Sequence, residues 1–214
     1  MYERFVKRVL DLILSIIGIV ILLPVWIIVP ILIKKDDGGP VFYPAPRIGK
    51  NSVKILMYKF RSMKVGNEDI RNADGSTYNS VDDPRVTKIG RILRRTSMDE
   101  LPQLFNVLKG EMSLVGPRAG TWDMLDTYKP DEIDKMKVRP GITGYTQAYY
   151  RNTISMREKR VLDAKYANNV TFLLDLKIVF KTVRIVVKRE GIYTNAATDS
   201  ENKESATSGA TKKQ

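Results

Sequence analysis

The chain of 214 residues has room for one domain with a sizeable core, or a smaller domain with extras. With 36 Lys and Arg against 24 Asp and Glu, its net charge of +12 points to anionic partners: nucleic acid, acidic lipid or phosphorylated substrates. It has no Cys and no His, which excludes disulfides, thiolate catalysis, the usual general base and the commonest metal ligands; any chemistry must use carboxylates, Lys, Arg, Tyr or a hard metal ion held by oxygen.

From Leu12 to Ile33 the chain is apolar except for Ser15. About 22 residues rising about 1.5 Å each reach roughly 33 Å, enough to cross a hydrocarbon core. The run is too long for a signal peptide, and Lys34-Lys35-Asp36-Asp37 is no cleavage site, so the segment reads as a membrane anchor. A single straight spanning helix is one reading. Pro24 and Pro30 argue for a bend, and basic residues flank both ends: Arg4, Lys7 and Arg8 before, Lys34 and Lys35 after. A helix that turns at Pro24 and returns to the same face satisfies both flanks, at the cost of broken backbone at membrane depth. The residues leave both topologies open.

Gly38-Gly39-Pro40 makes a turn, Val41–Tyr43 reads as a short strand, and Ser52–Phe60 as a second. Residues 66–84 read as a polar surface loop. Asp83-Pro84 is expected to open a basic helix with Ile89, Ile92 and Leu93 on one face and Lys88, Arg91 and Arg95 elsewhere. A second helix, from Ser97 or Asp99, runs through Leu108 and ends at Gly110. Val115–Arg118 and Val138–Gly144 read as rigid turns, each carrying one arginine. The last helix, about Thr171 to Glu190, sets a stripe of Lys177, Lys181, Arg184 and Lys188 against Phe172, Leu176, Val179, Phe180, Val183 and Val187. That composition suits a helix on an anionic membrane surface, or a core-packed helix with a solvated basic face. From Thr194 the tail carries no core-forming residues and reads as disordered. The expected organisation is a membrane segment over 1–37, a domain over 38–193 and a tail over 194–214.

Asp99 and Glu100 follow Arg91, Arg94 and Arg95 closely. Ser97 and Glu100 fit a Ser-x-x-Glu capping box, and a helix start at Asp99 would make Asp99 the cap and put Pro102 in the first turn. Capping accounts for one acid but not for two beside so many arginines, so helix capping and phosphate chemistry both remain open. A catalytically silent basic membrane adaptor for anionic partners also fits these residues. No nucleic-acid motif is present.

Four blocks occur in order: Tyr58-Lys59-Phe60-Arg61-Ser62-Met63, Asp99 through Gly110, Met112-Ser113-Leu114-Val115-Gly116-Pro117-Arg118, and Arg139-Pro140-Gly141-Ile142-Thr143-Gly144. With the apolar run, the chain resembles the small monotopic phosphoglycosyl transferases of the bacterial sugar transferase family over about residues 1–190. The resemblance implies an α/β fold, mostly helical with a small sheet. It would be a compact membrane-associated catalytic domain with an N-terminal re-entrant helix and surface amphipathic helices, at the cytoplasmic face of the bacterial inner membrane.

The resemblance also implies transfer of a sugar 1-phosphate from a UDP-sugar to polyprenyl phosphate, with release of UMP. Asp99 would be the nucleophile that forms a phospho-sugar aspartyl intermediate, and Glu100 its partner. Both would hold Mg2+, since ionised carboxylate and diphosphate repel. Arg94 would bind a phosphate, with Lys59, Arg118 and Arg139 as further phosphate binders. Pro24 would mark the re-entrant break. The chain departs from the family in two places: Leu23 stands where a small polar residue usually precedes the proline, and Tyr149-Tyr150 replaces a usual Asn-Gly.

Overall fold

The computed structural model describes residues 2–66, 70, 78, 83–151 and 153–188. Most of the polar loop expected over 66–84, and the tail expected from 194, lie outside them.

A π-helical turn, Tyr2–Val6, leads into α1 (Lys7–Ile21), and α2 (Leu23–Asp37) follows after a bend of 62°. No single helix among the described residues is long and apolar enough to cross a membrane; the bent pair passes by length and composition together. The break falls at Leu22, and Pro24 sits in the first turn of α2, where its missing N–H costs least. Leu23 offers no polar group to the broken turn, but the Trp26 indole does: its Nε1–H donates to the Ile19 carbonyl at 3.1 Å. Pro30 lies inside α2 without interrupting it.

The first of these helices is inverted in polarity. α1 buries Asp11 and Ser15, while Ile13, Leu14, Ile16, Ile17 and Val20 are exposed. Leu23, Ile27, Ile28, Ile31 and Leu32 of α2 are exposed too. Asp11 accepts the Leu114 N–H at 2.9 Å, which fixes α1 to the interior. The far end of α2 is fixed as firmly, for Asp37 pairs with Arg61, and Asp36 accepts the Ile89 N–H at 2.9 Å.

β1 (Phe42–Ile48) and β2 (Lys54–Phe60) form an antiparallel hairpin, with Phe42 opposite Phe60 and Ile48 opposite Lys54. β1 runs further than the expected Val41–Tyr43, through Pro44 and Pro46. These prolines face Tyr58 and Leu56, whose backbone groups turn instead to Asn106: Tyr58 N–H donates to Oδ1, and Nδ2 donates to the Leu56 carbonyl. The prolines therefore occupy positions where the hairpin loses no ladder bond.

α3 (Lys88–Thr96) starts later than Asp83-Pro84 suggests, because Asp83 is engaged with Arg85 at 2.7 Å and Thr87 is the N-cap, accepting the Gly90 N–H. A Cβ at Gly90 would stand 2.0 Å from the Ser62 carbonyl oxygen, so only glycine lets α3 lie this close to the chain after β2. The expected capping of the next helix by Ser97 or Asp99 is not what forms. Ser97 has φ 57°, ends α3 as a left-handed residue, and leads into a 3-10 turn, Met98–Glu100. α4 (Gln103–Lys109) starts after Pro102 with no side-chain cap, and Gly110 ends it as expected, at φ 83°.

Both expected rigid turns carry short strands, β3 (Ser113–Val115) and β4 (Gly141–Thr143), which pair in parallel. Two helices absent from the sequence expectations, α5 (Tyr145–Tyr149) and α6 (Met156–Ala167), precede the expected α7 (Phe172–Lys188). Short 3-10 segments at Lys50–Ser52, Trp122–Thr127 and Ile133–Lys137 complete the order. α7 buries Asp175, Ile178 and Ile185, while Phe172, Leu173, Val179, Phe180, Val183 and Val187 are exposed.

Among the described residues the interior has three apolar clusters. Ala45, Ile55, Met57, Val107 and Met112 join the hairpin to α4. Val29, Ile33, Phe60 and Leu93 join α2 to the hairpin and α3. Val115, Ala148, Tyr166 and Ile178 join β3 to the last three helices. A polar knot closes the N-terminus: the buried Asp175 carboxylate accepts from Tyr2 at 2.7 Å, Lys7 at 2.5 Å and Tyr166 at 2.5 Å.

Candidate active site

Asp99 and Glu100 lie in the 3-10 turn between α3 and α4, so their backbone is set by two helices that pack on the hairpin. Asp99 is 8% exposed. Glu100 Oε1 accepts from Lys59 Nζ at 2.8 Å and from Arg118 Nη2 at 3.5 Å. Lys59 comes from the end of β2, whose position relative to the acids is fixed by Asn106, a fully buried side chain on α4 that bonds both Tyr58 and Leu56. Arg118 follows β3 and remains half exposed at its side chain.

The two carboxylates are pushed in opposite directions. Burial raises Asp99, and the neighbouring Glu100 charge adds to this, against the opposing charges of Lys59, Arg94 and Arg118. Burial also acts to raise Glu100, but Lys59 and Arg118 outweigh it and hold its pKa at about 2. Glu100 is thus a fixed anion clamped by two cations, whereas Asp99 lacks so close a counter-charge and keeps the more basic oxygen.

Arg94, in the last turn of α3, stands near enough for its charge to act on Asp99. Its Nη1 is buried without a hydrogen-bond partner among the described residues. An unpaired guanidinium donor beside two carboxylates is a ready hydrogen-bond donor to a phosphate oxygen.

Of the residues singled out from sequence, the fold brings Asp99, Glu100, Lys59, Arg94 and Arg118 together. Arg139 is elsewhere: its Nε donates to the Gly110 carbonyl at 2.7 Å, at the opposite end of α4. Pro24 lies at the helix break, remote in role from this cluster. Sequence reasoning missed Asp163 on α6, buried and accepting from the Arg118 N–H at 3.2 Å, Thr146 Oγ1 at 2.8 Å and Lys135 at 3.5 Å. Burial raises its pKa against the charge of Lys135. Asp163 braces the backbone of Arg118 and so orients it toward Glu100. An aspartate inside a charged helical stretch gives no sign of this in one sequence.

No group of three or more Asp and Glu side chains that could together hold a metal lies among the described residues. Mg2+ commonly takes one or two protein carboxylates and fills its octahedron with water and substrate phosphates. Asp99 and Glu100 fit that role, with Glu100 keeping one oxygen on Lys59 and Arg118.

The bacterial sugar transferase family model matches residues 2–189. A Salmonella typhimurium protein named undecaprenyl-phosphate galactose phosphotransferase is 38% identical over 89% of this chain and 42% of its own. The Bacillus subtilis sugar transferase EpsL, itself uncharacterised, is 44% identical over 78% of this chain and 80% of its own. The exopolysaccharide production protein ExoY of Sinorhizobium fredii is 37% identical over 87% of this chain and 88% of its own. The chain spans less than half the length of the longer relatives it matches.

Proposed function

The chain belongs to the bacterial sugar transferase family, and from that premise we propose that it transfers a sugar 1-phosphate from a UDP-sugar to polyprenyl phosphate. The observation that carries this reading is the buried Asp99 carboxylate set among Lys59, Arg94 and Arg118. A Salmonella relative whose name states undecaprenyl phosphate and galactose supports the substrate class.

In the proposed first step an Asp99 oxygen attacks the sugar-bearing phosphorus. An aspartyl–phosphorus bond forms, the bond from that phosphorus to the bridging diphosphate oxygen breaks, and its electron pair leaves with UMP. In the second step a phosphate oxygen of the polyprenyl phosphate attacks the same phosphorus. The new lipid diphosphate forms and Asp99 regains its carboxylate. A carboxylate whose pKa is raised is a better nucleophile than an ordinary one, provided it is ionised at the working pH. Arg94 Nη1 supplies a free donor to a phosphate oxygen, and Arg118, braced by Asp163, stands beside it with half of its side chain open to substrate. Bound at Asp99 and Glu100, Mg2+ would neutralise the diphosphate charge.

The same reading seats the molecule at the cytoplasmic face of the bacterial inner membrane, α1 and α2 entering and leaving from one side. Its support is the inverted polarity of α1 and the exposed apolar face of α7.

The decisive experiment supplies polyprenyl phosphate and a panel of UDP-sugars and follows UMP release and trapping of a labelled phospho-sugar on the protein. Asp99→Asn should trap no label and lose at least about a thousandfold in turnover, while Asp99→Ala stays with the membrane fraction. Full turnover by Asp99→Asn would overturn the proposal.

A further inference from the structure

A cavity of about 280 Å³ lies at the base of α1, away from the acidic pair. Its cationic wall is made by Lys7, Arg8, Lys50 and Arg139, facing Glu3 and Asp11. Two of these cations sit together at the C-terminus of α4. Arg8 donates to the Val107 carbonyl at 2.6 Å and the Leu108 carbonyl at 3.0 Å, and Arg139 to that of Gly110 at 2.7 Å. They lie a helix length, about 10 Å, from the end of α4 that follows Asp99 and Glu100.

Neither guanidinium has a carboxylate partner among the described residues, and carbonyl groups leave their charges unneutralised. Burial, and then the facing charge of Arg139, lowers the Arg8 pKa, so the two guanidinia repel each other. Asp11, which also accepts the Leu114 N–H, acts on Arg8 in the opposite sense but is outweighed, and Lys7 is committed to Asp175. Ser113 also lines the cavity. It is 1% exposed, and its hydroxyl has no hydrogen-bond partner among the described residues. A buried hydroxyl without a partner beside two unneutralised guanidinia is costly unless a ligand or water completes it.

We propose that this cavity is a second anion site that takes a phosphate group, separate from the site at Asp99 and Glu100. An anion there would neutralise Arg8 and Arg139 together and accept the Ser113 hydroxyl. The volume suits a phosphate with part of its ester, and falls below the usual range for a whole nucleotide sugar. The lining residues Lys7 and Val170 each lie just before an exposed apolar stretch, on α1 and on α7. That places the cavity at the depth of lipid headgroups if those faces meet a bilayer. The site stands whether or not Asp99 transfers phosphoryl groups.

The test is native mass spectrometry of the full chain in neutral detergent, with three probes: dihexanoyl phosphatidylglycerol, dihexanoyl phosphatidylcholine and inorganic phosphate. Arg118→Ala weakens anion binding at the acidic pair and should retain one bound anion. Lys50→Glu and Ser113→Ala, checked for unchanged thermal unfolding, should each weaken that anion about tenfold. Arg139→Gln should weaken it further. Retention of phosphatidylglycerol over phosphatidylcholine identifies a lipid headgroup; retention of inorganic phosphate with equal strength identifies a free phosphate. Both support the site. Loss of all anion binding in Arg118→Ala, or binding unchanged by Lys50→Glu and Ser113→Ala, would overturn it.

Discussion

Asp99 differs from Glu100 less in sequence than in what surrounds each carboxylate. Its folded pKa lies above that of the unfolded chain. The stability that protonation confers is therefore present below the unfolded value and lost as pH rises through the folded one. At neutral pH the ionised carboxylate is a cost, and Asp99→Asn should raise the thermal unfolding midpoint by about 2–4 °C while removing transfer. An unchanged or lower midpoint would show that Asp99 is not strained by its surroundings. The same shift sets the acid limb of the pH–rate profile: activity should fall on acidification at a pH above the ordinary aspartate range. Lys59→Ala should move that limb, because it removes the strongest charge favouring the ionised form of Asp99. Lys59 and Arg118 were legible as phosphate binders because ordered motifs carried them, and Arg94 because it stands five residues before Asp99. Arg139 shared those motifs but was drawn to a helix end by a carbonyl, a choice made by chain geometry that one sequence does not display. Asp163 acts on Arg118 through a backbone N–H, and such a contact leaves no residue-type signature at the partner.

Helix boundaries show how the same local signal can be followed or overridden. Ser97-x-x-Glu100 and Ser155-x-x-Glu158 both match the capping box. Only the second forms one, with Ser155 accepting the Glu158 N–H and the Glu158 carboxylate accepting the Ser155 N–H. Ser97 directly follows α3 and has φ 57°, so it closes one helix and cannot also adopt the extended backbone that opens another. Ser155→Ala should destabilise the fold by about 1 kcal/mol. Ser97→Gly, which relieves a left-handed serine, should cost nothing or stabilise slightly. Chemical denaturation of the two variants in detergent checks the contrast, and a larger loss from Ser97→Gly would contradict it. The strand β1 runs beyond the expected Val41–Tyr43, through two prolines that argue locally against a strand. They are accommodated here by the edge of β2 turning its free groups to Asn106, a long-range contact beyond any local rule.

At the scale of the whole molecule, α1 buries polar residues and exposes isoleucines, and the apolar stripe of α7 is exposed as well. The choice between a straight span and a bend, open in the sequence, falls to two helices meeting at 62°. Under the proposed re-entrant topology, cysteines introduced at Tyr2 and Gly38 should both react with a reagent confined to the cytoplasm. Labelling from opposite sides would require the chain to cross. The indole bond from Trp26 to Ile19 gives this bend an optical handle. The chain has only two tryptophans, so Trp122→Phe leaves Trp26 as the sole indole emitter. Its emission should lie to the blue and be quenched by brominated acyl chains. Straightening the bend would free the indole N–H and alter the spectrum, so the hinge can be watched in a living bilayer by its colour.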